Sequence, residues 1–100
     1  MATYAFRLFV TGRSPQSQRA VANLRRLCDE HLDGTYDLDV IDVLERPQAA
    51  ETDRVLATPT LDKAFPPPPR RLVGDLADPQ KVIAALDLAP GRLTRPDNGS

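Results

Sequence analysis

Pro66 to Pro69 stand in a row, and no helix or inner strand can run through them. Proline offers no backbone donor and fixes φ, so this block must be a loop, a sheet edge or a polyproline segment. Just upstream, Thr58-Pro59-Thr60 places a single proline directly before a strand-like Thr-Leu pair. A cis bond is commonly found in that setting, because an X-Pro peptide costs only about 0.5–1 kcal/mol to turn cis. Half of the chain's ten prolines fall between Leu56 and Asp75. The conformational options of this stretch therefore organise the rest.

Ahead of it, the pattern is regular. Tyr4 to Thr11 sets Tyr4, Phe6, Leu8 and Val10 on one face and Ala5, Arg7, Phe9 and Thr11 on the other, which predicts a central, parallel strand covered on both sides. Gly12 ends it. Ser14-Pro15 then supplies a hydroxyl cap and a proline at the first helical position. Ala20, Leu24, Leu27, Cys28 and His31 recur at helical spacing, and Asp33-Gly34 is the expected stop. Tyr36 to Leu44 alternates again, so the first half reads as a right-handed βαβ crossover.

The second half is written more weakly. Pro47 opens a short helix over Gln48 to Leu56 whose apolar face is thin, which predicts a marginal, partly exposed element. Thr60 to Phe65 and Arg70 to Leu76 read as two short antiparallel strands around the proline block, at a sheet edge. Asp78-Pro79 starts a last helix with Val82, Ile83 and Leu86 inward and the strong helix formers Ala84 and Ala85. The order β-α-β-α-β-β-α gives an α/β, thioredoxin-like fold with a four-stranded mixed sheet and helices on both faces. Residues 1–89 form one domain in this reading, and 90–100 a flexible tail.

Composition narrows the function. The length of 100 residues fits one domain. Thirteen basic against fourteen acidic residues leave a net charge of −1, so no global field draws in nucleic acid or a membrane surface. The start Met-Ala-Thr-Tyr-Ala-Phe-Arg lacks the layout of a secretory signal, and the reading is cytoplasmic. A single cysteine excludes an internal disulfide and a Cys-x-x-Cys pair.

A thioredoxin-like oxidoreductase needs a thiolate at the start of its first helix, facing a cis-proline. Here the proline is kept at Pro59 while Thr11-Gly12-Arg13-Ser14-Pro15-Gln16-Ser17 occupies the thiol position, so redox catalysis is not expected. Cys28 falls in the inward helical stripe as core filling. Ser14 reads as a helix cap; the alternative is a hydroxyl that activates glutathione in a glutathione-dependent enzyme. His31 reads as a helix-end residue. Asp37 and Asp39 alternate away from Asp42, which favours solvated edges over a metal site. Arg70-Arg71, directly after the prolines, suit a carboxylate-bearing partner, and Arg54 and Arg19 could extend that patch.

Several of these segments together resemble the KaiB family of circadian clock proteins. They are Thr11-Gly12-x-Ser14-Pro15-x-Ser17, Val40-Ile41-Asp42-Val43-Leu44 with Pro47-Gln48-x-Ala50-Glu51, Leu56-Ala57-Thr58-Pro59-Thr60-Leu61, and Pro66-Pro67-Pro68-x-Arg70-Arg71-Leu72-Val73-Gly74-Asp75-Leu76. The resemblance runs over about residues 4 to 88. It implies a non-enzymatic protein, without a cofactor, metal or catalytic residue, that docks on the hexameric ATPase KaiC and, in cyanobacteria, then sequesters KaiA.

Partner contacts are expected at Gln48, Ala50, Arg54, Arg70 and Arg71, with Gly74-Asp75 as a structural turn. The resemblance also implies a second arrangement, a tetrameric ground state in the order β-α-β-β-α-α-β that shares the first βαβ half, so a homodimer or homotetramer is expected beside the monomer. Pro59 and Pro66, Pro67, Pro68 and Pro69 are the candidates for isomer changes in that switch. Barriers of about 20 kcal/mol would make such steps slow. Asp39 stands where cyanobacterial members often carry a basic residue, and the tail is not acidic; both departures argue against KaiA capture.

Overall fold

The computed structural model describes residues 4–32, 35–86 and Leu88. The expected stop at Asp33-Gly34 and the expected tail at 90–100 lie outside them. Among the described residues the order is β1 (Tyr4–Val10), α1 (Pro15–His31), β2 (Tyr36–Asp42), α2 (Pro47–Thr52), β3 (Thr60–Phe65), β4 (Arg70–Val73) and α3 (Pro79–Ala85). This is the thioredoxin-like order, not the alternative one.

The sheet runs β2-β1-β3-β4. β1 pairs in parallel with β2, from Tyr4 opposite Tyr36 to Val10 opposite Asp42. β3 lies antiparallel to both β1 and β4, so the mixed sheet has β4 as one edge. One face carries Tyr4, Phe6, Leu8 and Val10, which cluster with Ala20, Leu24, Leu27 and Cys28 of α1 and with Val82 and Leu86 around α3. Leu8, Leu24 and Leu86 are wholly buried there. Each contributes about 1.5–3 kcal/mol relative to exposure, as an upper estimate. The opposite face buries Phe9 and Ile41, which sit side by side across β1 and β2.

Helix α1 starts where the cap predicts. Ser14 accepts from Ser17 N at 3.2 Å, and Pro15 follows in the first turn. His31 closes it, half-buried in the last turn. Helix α3 is capped in the same manner by Asp78, whose carboxylate accepts from Gln80 N at 3.0 Å and Lys81 N at 3.4 Å.

β1 ends at Val10, one residue before the expected Thr11, and three other ends differ by two residues or more, each for a local reason. β2 stops at Asp42 instead of Leu44, because Asp42 Oδ1 accepts from Gly12 N at 3.0 Å and Leu44 N at 2.9 Å and so turns the chain. α2 stops at Thr52 instead of Leu56. Arg54 adopts φ 56°, Arg54 N donates to Glu51 O at 3.2 Å and Val55 N donates to Ala50 O at 2.8 Å. That pair of bonds is a Schellman motif, with arginine at the left-handed position that glycine usually takes. β4 stops at Val73 instead of Leu76, because Gly74 at φ 136° and Leu76 at φ 64° turn the chain and send Leu76 into the core.

Candidate partner-binding surface

The place where a thioredoxin-like enzyme keeps its thiol is filled with hydroxyls. Ser14 Oγ donates to Ser17 Oγ at 2.8 Å while accepting from Ser17 N, and Ser17 Oγ also accepts from Thr11 N at 3.1 Å. Thr11 and Thr58 share a hydrogen bond between their hydroxyls, beside Pro59. The peptide bonds Thr58-Pro59, Phe65-Pro66 and Pro67-Pro68 are cis. Ser14 thus meets the Ser17 hydroxyl and the Ser17 backbone amide in its hydrogen bonds, and among the described residues no imidazole or carboxylate bonds to it that could take its proton. Its geometry is that of a cap. Cys28 is fully buried, and burial, with Asp29 beside it, pushes its thiol up to about 12. A thiol so placed is neutral and shielded from reagents.

The other face of the sheet is organised by charge. The strand registers put Asp39, Arg7, Asp62 and Arg71 opposite one another across β2, β1, β3 and β4, a row of alternating sign over the whole sheet. Opposite charges in facing positions support the pairing of neighbouring strands. Arg71 grips Asp62 with both ends of its fork, Nε to Oδ1 at 2.6 Å and Nη2 to Oδ2 at 2.8 Å. This bonding to Asp62 holds the guanidinium charged more firmly than usual. The fork is planar and rigid, so its remaining donors have a fixed aim.

They aim at the end of α2. Arg71 Nη1 donates to Arg54 O at 3.0 Å, and Nη2 donates to Asp53 O at 2.7 Å. Arg7 Nη1 completes the attachment with a 2.7 Å ion pair to Asp53 Oδ2. The helix so attached has no fully buried residue. Gln48 and Glu51 are exposed on it, and Ala50 is half-buried. Leu44 before it and Leu56 after it are 68% and 97% exposed. An unburied six-residue helix would fray by itself. Here its last turn is fastened to the sheet.

The five residues expected at a partner surface therefore divide. Gln48, Ala50 and Arg54 share α2 and its cap. Arg71 stands directly behind that cap. Arg70, one residue away on β4, falls on the opposite sheet face, opposite Lys63. Among the described residues neither Arg54 nor Arg70 has an ion-pair partner. Arg70 and Arg71 both line a groove of about 340 Å³ with Arg7, Asp62, Lys63 and Pro69. Arg19 lies elsewhere, 3.6 Å from Asp75. Gly74 N donates to Pro59 O at 2.9 Å, and Asp75 O accepts from Asn23 Nδ2 at 2.9 Å, so this turn joins β3 and α1. Asp53, Asp62 and Arg7 were not singled out by the sequence. A charged residue within each of the first and third strands was the available signal, but it acquires meaning only with the cross-strand register.

Comparison with known proteins agrees with this architecture. The N-terminal domain of Synechococcus elongatus SasA superposes with a TM-score of 0.74 at 24% identity, covering 99% of this chain and 91% of that one. Mitochondrial thioredoxin 3 of Saccharomyces cerevisiae superposes with a TM-score of 0.67 at 16% identity, over 87% of this chain and 79% of its own. These likenesses establish the thioredoxin-like fold. Sequence similarity is closer to clock proteins. The circadian clock oscillator protein KaiB of Microcystis aeruginosa is 47% identical over 98% of this chain and 94% of its own length. The circadian clock protein KaiB3 of Synechocystis is 48% identical over 84% of this chain and 82% of its own. The KaiB domain profile matches residues 7–88. With the thiol position occupied by capping hydroxyls and the match extending through the proline block and the Arg70-Arg71 edge, the chain belongs to the KaiB family of circadian clock proteins.

Proposed function

We propose that this chain is a cytoplasmic, non-enzymatic binding module that docks on a KaiC-type hexameric ATPase. Contact is made through Gln48, Ala50 and Arg54 on α2 and its cap, with Arg70 and Arg71 contributing from the edge strand β4. The observation that carries this reading is an exposed helix held rigid: α2 buries none of its residues, yet its last turn is fastened by Arg71 and Arg7. Leu44 and Leu56 flank that helix as exposed apolar anchors, and the guanidiniums of Arg54 and Arg70, without an ion-pair partner among the described residues, suit carboxylates on the partner. Family membership supplies the class of partner.

The same reading includes a second arrangement of the chain from about Leu56 onward. β4 is only four residues long and pairs with β3 alone, so little sheet bonding resists its rearrangement. Ala84 and Ala85 favour the helix α3 and hence the order described above. A homodimer or homotetramer belongs to the alternative arrangement. KaiA capture is not part of the proposal, because Asp39 places negative charge on the exposed strand β2.

Gel filtration of the protein with a KaiC-type ATPase and ATP tests the docking. Co-elution at the size of the hexamer is expected. Elution of this chain at its own position over a range of concentrations and times would refute it. An amide NMR spectrum of the free protein tests the second arrangement, which requires two sets of peaks in slow exchange.

A further inference from the structure

We infer that Arg71, oriented by Asp62, is a positioning residue for the partner surface: its fork holds the carbonyls that end α2 and so sets the pose of Arg54. The inference rests on α2 and Arg54 being the docking elements. Its basis is the fourfold use of one guanidinium: two bonds to the Asp62 carboxylate at 2.6 and 2.8 Å, and one each to the Arg54 and Asp53 carbonyls at 3.0 and 2.7 Å.

The geometry requires each part. Asp62 on β3 neutralises the fork and fixes its plane. The two carbonyls belong to the residues that end α2, one of which is Arg54 in a left-handed conformation that arginine rarely adopts. Such a conformation persists where its surroundings over-determine it. Here the surroundings are the Schellman bonds on one side and the Arg71 fork on the other. The fork therefore sets where the Arg54 side chain leaves the surface.

A coupling follows from chain order. α2 precedes β3 and β4 in sequence, yet its last turn is gripped from β4. Arg71 meets Asp62 only in the β3–β4 register that pairs these two residues. Lose that register, and the fork no longer faces the α2 carbonyls. With the register in place, Arg54 and the exposed face of α2 are presented in a fixed pose.

The test uses Arg71→Ala and, in case that variant folds poorly, Arg71→Lys, which keeps the charge but cannot bridge a carboxylate and two carbonyls in one plane. Amide hydrogen exchange of the free protein is read at Arg54 and Val55 against Leu8 and Leu61 in the sheet, and affinity is read by titration with a KaiC-type ATPase. Both variants are expected to exchange at least about tenfold faster at Arg54 and Val55 while the sheet amides hold. Both are expected to bind at least about fivefold more weakly. Unchanged exchange at Arg54 and Val55 would overturn the clamp, whatever the affinity. Faster exchange with undiminished affinity would overturn its role in positioning. Failure of the wild-type chain to bind, with the exchange difference intact, would refute the docking reading and leave the clamp standing.

Discussion

Asn23 Nδ2 donates to Asp75 O at 2.9 Å, so a side chain in the middle of α1 holds the loop that follows β4. Arg19, one turn earlier, approaches the same residue's carboxylate at 3.6 Å. The N-terminal βαβ half thus acts as a template on which the end of the second half is fastened. Asn23→Ala removes a half-buried bond and leaves the carbonyl to find water. We expect a loss of about 1 kcal/mol, read as a lower urea midpoint. Because the tie belongs to this arrangement, the variant should also enlarge any second set of amide peaks. An unchanged midpoint would show that water replaces Asn23 without cost.

The left-handed Arg54 gives a prediction with opposite signs for stability and function. Glycine at that position removes the steric penalty of about 1 kcal/mol while keeping both Schellman bonds. Arg54→Gly is therefore expected to melt at a higher temperature than the wild type. It should nevertheless bind a KaiC-type ATPase more weakly, because the side chain proposed to read the partner is gone. A residue retained at the expense of stability is the signature of a functional position. Lower stability in this variant would mean that the Arg54 side chain makes contacts that outweigh its backbone strain.

Cys28 yields a pH dependence with a defined sign. Burial and Asp29 raise the thiol from an ordinary 9.0 to about 12, so the folded protein holds this proton more tightly than the unfolded chain. The resulting stability is fully present below about pH 9 and is lost as pH rises through the folded value. Tyr36 is shifted upward as well, by burial and Asp29, and adds in the same direction. Urea unfolding of the wild type and Cys28→Ala at about pH 8 and about pH 10.5 isolates the thiol, since only the wild type loses its share over that interval. Equal slopes in the two proteins would contradict the assignment.

The sequence disclosed elements governed by local chemistry and left out those that depend on register. Ser14-Pro15 marked the start of α1, and the spacing of Ala20, Leu24, Leu27 and Cys28 marked its buried face, because cap and stripe are visible within a few residues. Pro66 to Pro69 fixed the break between β3 and β4 for the same reason. The end of α2 was placed too late, at Leu56, because nothing in Asp53-Arg54-Val55 advertises a left-handed arginine; the carbonyls that stabilise it are met by a residue 17 positions later in the chain. Arg70 and Arg71 looked like one patch. Alternation along β4 sends them to opposite faces, and only the pairing of Asp62 with Arg71 shows which one faces α2. The charge row from Asp39 to Arg71 was likewise present as letters and absent as a pattern until four strands were aligned.

In the proposed docking, the cap of α2 and the β4 edge are read by a KaiC-type ATPase. A fluorescence anisotropy titration of labelled protein with that hexamer and ATP tests it most directly, comparing the wild type with the Arg54→Ala, Arg70→Ala double variant. Both guanidiniums lack ion-pair partners among the described residues, so their removal should leave the melting temperature nearly unchanged. Saturable binding by the wild type and affinity weakened by at least about tenfold in the double variant is the predicted result. Equal affinity of the two proteins would contradict it.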